Sequence, residues 1–302
     1  MKKNWKLWFS STFLLLLLIL VFAAPHLPFV DPELERTVSI RNDDGSFSLP
    51  PYPPREGFPL GSDHDGVGVL DQVLLGAKET ITIVLLVVLI RYVLAIPLAI
   101  GGFYSRFIEK CLQVWQQLFS FMPPIFFVSF FVALPFVFFS VNRAFWVILI
   151  LAVLETGRVA EVIMQHMKQT ERRPYIEAGI AAGGTPFKMF KDYYFPVVLP
   201  TVIILIINDM GRVLFLIAQL GVVKIFVSHK FVTVESGAYE VINTSLAWPT
   251  MFRTITADIF TYQWIPFSVI GAIAVTIYAF NMFADGLQKY FENKYRTFRA
   301  DL

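Results

Sequence analysis

The chain has 302 residues, 56% of them hydrophobic, and a mean hydropathy of +0.62. Soluble domains rarely reach that value, so several membrane-spanning helices are expected. The net charge of +2 is too small to argue for nucleic acid, and the single cysteine, Cys111, excludes an internal disulfide and a cysteine-rich metal site. His26, His64, His166 and His229 show no ligand spacing, so no metal is expected.

The chain opens with Lys2, Lys3 and Lys6, and residues 7–24 are almost purely apolar. A cleaved signal peptide is the rival reading. The apolar core is long for one, and Phe22 and Pro25 disfavour cleavage after Ala24. The expectation is an uncleaved first span whose positive flank keeps the N-terminus inside. Residues 25–75 hold nine Asp/Glu against three Lys/Arg, together with eight prolines. The acidic excess suits the outer side of a membrane, and the prolines argue for loop. A Ca²⁺ loop at Asp63, Asp65 and Asp71 is an alternative, but the further alternate oxygen ligands and the terminal Glu are missing.

A second span is expected over 80–103, with Arg91 near its middle, followed by a short inner loop over 101–110. A third covers 113–139. Pro123, Pro124 and Pro135 bend it, because each proline frees a carbonyl. Such a Phe-rich bent helix lines a pathway or is fitted packing. Asn142 and Arg143 mark a tight outer turn before a fourth span at 144–164. A fifth covers 197–223. Residues 224–262 are mixed and partly polar, as for an outer segment dipping at the surface. The sixth span is 264–284. The tail after it carries Lys289, Lys294, Arg296 and Arg299, which places the C-terminus inside. The fold class is therefore all-α membrane protein, with six transmembrane helices and both termini cytoplasmic. The chain divides into 1–24, an extracytoplasmic segment at 25–75, and a five-helix core at 76–302.

Charges inside a membrane are costly and face protein or water. Arg91, Glu155, Arg158, Glu161, Asp209 and Arg212 are candidates for a polar seam or a pathway. They pair structurally, or they touch solute. Glu155, Arg158 and Glu161 share one helical face, and Glu155/Arg158 and Asp209/Arg212 are spaced i, i+3 for local pairing. No phosphate-binding G-x-x-x-x-G-K-[ST], no H-E-x-x-H and no G-x-S-x-G occurs. No enzymatic activity and no cofactor are expected, and any energy for transport must come from a separate ATPase.

Residues 175–200 read YIEAGIAAGGTPFKMFKDYYFPVVLP. A helix through Glu177 and Ala178 is broken by Gly183 and Gly184, where two glycines make continued helix costly. Thr185 is a good N-cap and Pro186 suits the first helical position, so a second helix starts there. Lys188, Lys191 and Asp192 keep one side wet, while Phe187, Met189, Phe190 and Tyr193 form an apolar stripe.

The segment resembles the EAA loop of ABC-importer permeases, with Glu177-Ala178-Gly179, then Gly183, then Phe195-Pro196 and Leu199-Pro200. The doubled proline is like the dipeptide, oligopeptide and nickel branch. Pro59–Gly66, Trp248-Pro249 and Ala279-Phe280-Asn281 resemble further motifs of that branch in collinear order. Gly179 replaces the second Ala, Val67-Gly68 replace an Arg-Asp pair, and an expected Gly-rich run is absent at 219–223.

The resemblance implies a type I permease fold in which Glu177, Ala178, Gly179, Gly183, Gly184, Thr185 and Pro186 belong to an ATPase-coupling loop at 170–196. It also implies a bacterial plasma-membrane protein that imports peptides. Its partners would be a sister permease, two ABC ATPase subunits, an extracytoplasmic substrate-binding protein and membrane lipid. The alternative is a non-transport membrane scaffold or sensor with relic motifs. An ion-coupled carrier would need internal repeats, which the chain lacks.

Overall fold

Apolar runs of 20 or more residues bury their own backbone groups best as helices, and helices dominate the computed structural model of the chain. It describes residues 5–41, 46–233, 239–243 and 245–300, without the side chains of 6, 229–233, 239–243 and 295–300. Lys2 and Lys3 of the basic flank lie outside the described residues, as do the side chains of Arg296 and Arg299.

The long helices are α1 (Trp5–Ala23), α2 (Val69–Tyr104), α3 (Arg106–Ser120) and α4 (Pro124–Ala133). A short α5 (Pro135–Phe138) leads to α6 (Arg143–Leu154) and α7 (Thr156–Glu171). Two small helices follow, α8 (Pro174–Ala181) and α9 (Pro186–Met189). A π turn at Phe190–Tyr194 then joins α10 (Phe195–Val222), and α11 (Ile255–Thr261) and α12 (Trp264–Ala300) complete the set. Two antiparallel pairs, β1 (Ile40–Arg41) with β2 (Phe47–Ser48) and β3 (His229–Thr233) with β4 (Tyr239–Asn243), sit in the loops.

Among the described residues, four helices are long and apolar enough to cross a membrane: Leu7–His26, Val69–Tyr104, Pro186–Val222 and Trp264–Lys294. The α3–α4 pair makes a fifth if its 90° bend is counted within one span. The expected bent helix over 113–139 is therefore broken into α3, α4 and the short α5. Pro123 takes an extended ψ of 138° and Pro124 starts a new helix, because a proline suits a first turn but not an interior.

The expected helix over 144–164 is also interrupted, at Glu155. The inner loop at 101–110 reduces to Ser105 alone, between two helices. The second span starts eleven residues earlier than expected, at Val69 rather than Thr80. Its first turns carry Asp71, Gln72 and Glu79, which pin neighbouring segments. Glu79 accepts from the Ser245 hydroxyl (2.6 Å) and the Leu246 amide (2.7 Å).

Around this start the Pro-rich loop folds back. Asp63 accepts from the Asp65 and Val67 amides (both 2.9 Å) and from Gln72 Nε2 (2.7 Å). Its carboxylate shapes a turn, and no group of three or more metal-binding side chains exists among the described residues. The loop is tied to the far end of the chain three times. His64 Nε2 meets the buried Asp258 carboxylate at 2.7 Å, Arg253 meets Asp65 at 2.8 Å, and Trp264 Nε1 donates to the Ser62 carbonyl at 3.1 Å. The Arg253 hydrogen bond holds the Asp65 carboxyl below the usual carboxylate range.

The segment Trp248–Phe252, a 3₁₀ turn, is buried against α2 and α10. The Trp248 amide donates to Thr80 Oγ1 (2.9 Å), and its indole N–H donates to the Val73 carbonyl (2.7 Å). Truncating a buried tryptophan leaves both a cavity and unpaired groups. Trp248→Ala should destabilise the protein by about 3–5 kcal/mol, measured as a lowered midpoint of thermal unfolding in detergent or lipid.

Candidate functional site

The interruption of the α6–α7 run and the burial of Arg91 meet at one place. Ending a helix at Leu154 leaves its last carbonyls without intrahelical donors. Arg91, in mid-α2 and with 0% relative exposure, supplies them. Its Nη2 donates to the Leu151 carbonyl (2.6 Å) and its Nε to that of Ala152 (3.4 Å). Thr156 Oγ1 adds a second donor to Ala152 (2.9 Å), and the Trp115 indole reaches the Leu154 carbonyl (3.4 Å). The guanidinium thus sits at the negative end of the α6 dipole, where a cation is favoured.

The same guanidinium holds two carboxylates. Arg91 Nη1 lies 2.6 Å from Asp209 Oδ2 on α10 and 3.1 Å from Glu155 Oε2 at the α6–α7 break. Arg158 on α7 bonds the same two acids, at 2.7 Å to Asp209 Oδ1 and 3.0 Å to Glu155 Oε2. Two cations and two anions alternate, and the cluster sums to zero charge. Each charge in this low-dielectric interior is therefore partnered and hydrogen-bonded, the condition under which burial is tolerated. The cluster joins α2, the α6–α7 break and α10 at one point.

Of the six charged residues grouped by sequence, the structure brings four together. Glu161 is half-buried and Arg212 exposed, and neither forms an ion pair among the described residues. The expected Asp209/Arg212 pair is replaced, because Asp209 faces the bundle while Arg212 faces out. Glu155 and Arg158 do pair at i, i+3. Of the histidines, His166 meets the Thr201 hydroxyl at 3.1 Å, and His64 bonds the buried Asp258. No spacing signal could reveal a partner 194 residues away.

The second candidate region is the bent pair α8–α9. Thr185 caps α9, its hydroxyl accepting from the Lys188 amide (3.4 Å), and Pro186 is the first residue of that helix. Gly183 adopts φ +79°, a left-handed conformation that side chains disfavour, so the turn needs glycine there. Gly179 serves close approach. A Cβ at that position would meet the Tyr193 ring at 2.9 Å and the Met189 side chain at 3.1 Å.

Ile176, Gly179 and Met189 are buried, whereas Glu177, Ala178, Ile180, Thr185, Pro186 and Phe187 are exposed. Phe187 is 77% exposed. At Phe195 the amide reaches back to the Phe190 carbonyl, a wider turn than α. That widening accommodates Pro196, whose ring would crowd the carbonyl four residues back in a regular helix. The helix then runs unbroken through Pro200 to Asp209. Tyr194 in the π turn stacks edge-on against Phe103 of α2 at 5.1 Å.

Removing one member of a buried ion cluster leaves an uncompensated charge. Arg91→Met should destabilise the protein by about 3–5 kcal/mol. Asp209→Asn in the same chain should recover part of that loss, a coupling read from a double-mutant cycle of unfolding midpoints.

No curated protein sequence matches the chain. A family model does, over residues 91–297, from the buried arginine of α2 into the last helix and across both regions just described. The match covers more than half of the 302 residues. With its long apolar helices, the chain is a multi-pass membrane protein, and it belongs to the family of binding-protein-dependent transport system inner membrane components, the permeases of ABC importers.

Proposed function

We propose that the chain is the permease subunit of an ATP-driven importer of peptides. In this reading it forms the translocation pathway with a sister permease, and two ABC ATPase subunits drive it through α8–α9. An extracytoplasmic binding protein delivers the solute to the acidic Pro-rich side. The protein lies in a bacterial plasma membrane with both termini and α8–α9 inside. The α3–α4 elbow and the α6–α7 break count as the third and fourth of six crossings. Membership of the family supports an ATPase and a binding protein as partners.

The observation that carries the coupling role is the exposed face of α8–α9. Glu177, Ile180 and Phe187 present an acid and two apolar groups outward from a helix pair whose inner face is packed on Met189 and Tyr193. Exposed apolar side chains on a well-supported element mark docking sites better than isolated ones do. The same element continues through the π turn into α10, which carries Asp209. A push on α9 by an ATPase therefore reaches the charged junction along one helix. The junction residues Arg91, Glu155, Arg158 and Asp209 hold the helices that move, and Glu161 and Arg212 stay available to face the pathway or the sister subunit. No P-loop is present, so hydrolysis belongs to the partners.

Glu177→Arg should abolish uptake of labelled short peptides and loosen ATPase association while leaving membrane insertion intact. Phe187→Asp should weaken co-purification of the ATPase subunits by at least about thirtyfold, as for a buried aromatic anchor. Wild-type uptake in both variants would refute the docking role. Absence of any ATPase in pull-downs of the native chain would favour a scaffold or sensor instead.

A further inference from the structure

Helix α3 carries three parallel stripes, each one residue on from the last, at the four-and-three spacing of a helical face. Ile108, Leu112, Trp115 and Phe119 face the bundle. Phe107, Cys111, Val114, Leu118 and, just past the helix end, Phe121 form an exposed apolar stripe. Arg106, Lys110, Gln113, Gln117 and Ser120 form a polar one, exposed except at the half-buried Gln113. Contacts fix how deep the helix goes. It starts one residue after α2 ends, with Ile108 against Gly101 and Leu112 against Gly102. Glu109 then pairs with Lys168 at 2.5 Å, and the Trp115 indole reaches the Leu154 carbonyl beside the charged junction. Arg91 of that junction stands at the middle of the apolar stretch of α2, so α3 doubles back along α2 and carries Gln117 to mid-membrane depth. Ser120 lies at an aromatic crevice of ≈ 380 Å³ at the α3–α4 elbow.

The Gln117 amide is exposed and has no hydrogen-bond partner among the described residues. Arg106 and Lys110 form no ion pair among them either. An unpaired amide turned to lipid at that depth is costly, so the stripe meets water or protein. Two unpaired charges of one sign favour water, which solvates both, over a protein interface, which would have to pair them. We propose that the polar stripe of α3 is one wall of a water-filled passage for hydrophilic solutes. The passage runs from the end of α2 that touches Pro186 of α9 to the depth of the charged junction. Neutral amide and hydroxyl side chains both donate and accept, so they replace part of a solute's hydration without holding it by charge. The apolar stripe alongside is the surface turned to lipid. That the solute is imported cargo rests on the transport reading above, whereas the passage itself does not.

The test reads thiol reactivity along α3 in fragments of native membrane, which keep any partner subunits and admit reagent from both sides. The probe is 2-sulfonatoethyl methanethiosulfonate, a small charged solute excluded from lipid. It reacts with the thiolate, which forms in water and is suppressed in apolar surroundings. On a Cys111→Ser background, Gln113→Cys, Gln117→Cys and Ser120→Cys should react at least about tenfold faster than Val114→Cys and Leu118→Cys. Native Cys111, on the apolar stripe of the unaltered chain, should be as slow as those two, which checks the lipid side without any substitution. Several exposed positions are compared, so one variant that fails to fold does not decide the outcome.

Equal rates on the two stripes would overturn the passage, and so would slow labelling of the polar one. A polar stripe that becomes reactive only after detergent separates the subunits would be a protein interface, which overturns the passage as well. Fast labelling of the polar stripe in a chain that supports no peptide uptake would sink the import reading and leave the passage standing. Peptide uptake with that stripe unreactive would do the reverse.

Discussion

A single guanidinium sets the geometry of this bundle. Arg91 sits in the middle of an apolar helix, and no water is available to solvate it there. It needs acceptors from outside its own helix, and it finds them at the end of α6 and on two carboxylates. Three consequences follow. The α6–α7 run breaks where its carbonyls are claimed, α10 is drawn in by Asp209, and α7 is locked by Arg158. Removing a charge from such a cluster is more disruptive than never having had it, because the remaining partners stay buried. The cluster therefore ties α2, the α6–α7 break and α10 together at one point.

That constraint gives the short helices something to act upon. The α8–α9 pair is fastened on its inner face by Met189 and Tyr193 and continues into α10 through a turn widened ahead of Pro196. Its outer face, with Phe187 and Ile180, is left without a cover among the described residues. In the proposed coupling role, a rigid handle on a helix that carries Asp209 at a charged joint would transmit displacement. A flexible loop would absorb it. At the opposite end of α2, the Pro-rich loop is stapled to the last third of the chain by His64–Asp258, Asp65–Arg253 and Ser62–Trp264. Both ends of the bundle are thus braced while the elbow between α3 and α4 stays open around a cavity.

What the sequence discloses depends on whether the signal is local. The restart at Thr185-Pro186 and the glycine turn before it are written in cap chemistry and backbone preference, and both stand in the structure as expected. The Glu155/Arg158 pair is legible for the same reason, three residues apart on one helix. The break at Glu155 is not legible. The run ahead of it contains no proline and no glycine, and the Leu151 carbonyl at the break is met by Arg91, 60 residues away in the chain. The partner of Arg91 on α10 is 118 residues distant, and no periodicity encodes that. The early start of α2 is not legible because Asp71, Gln72 and Glu79 look like loop residues until their partners are seen. Pro123 and Pro124 make a bend in the third apolar run legible, and the structure makes that bend a right angle.

The central claim is that α2 and α10 remain joined at the charged junction while nucleotide drives the assembly. The most direct measurement is a spin-label distance between Val93 on α2 and Phe215 on α10, both exposed, in the protein assembled with its ATPase partners. The account predicts one narrow distance that is the same in the nucleotide-free and ATP-trapped states, and a broadened one in Arg91→Met. A wild-type distance that shifts between the two nucleotide states, or one that Arg91→Met leaves unchanged, would contradict it.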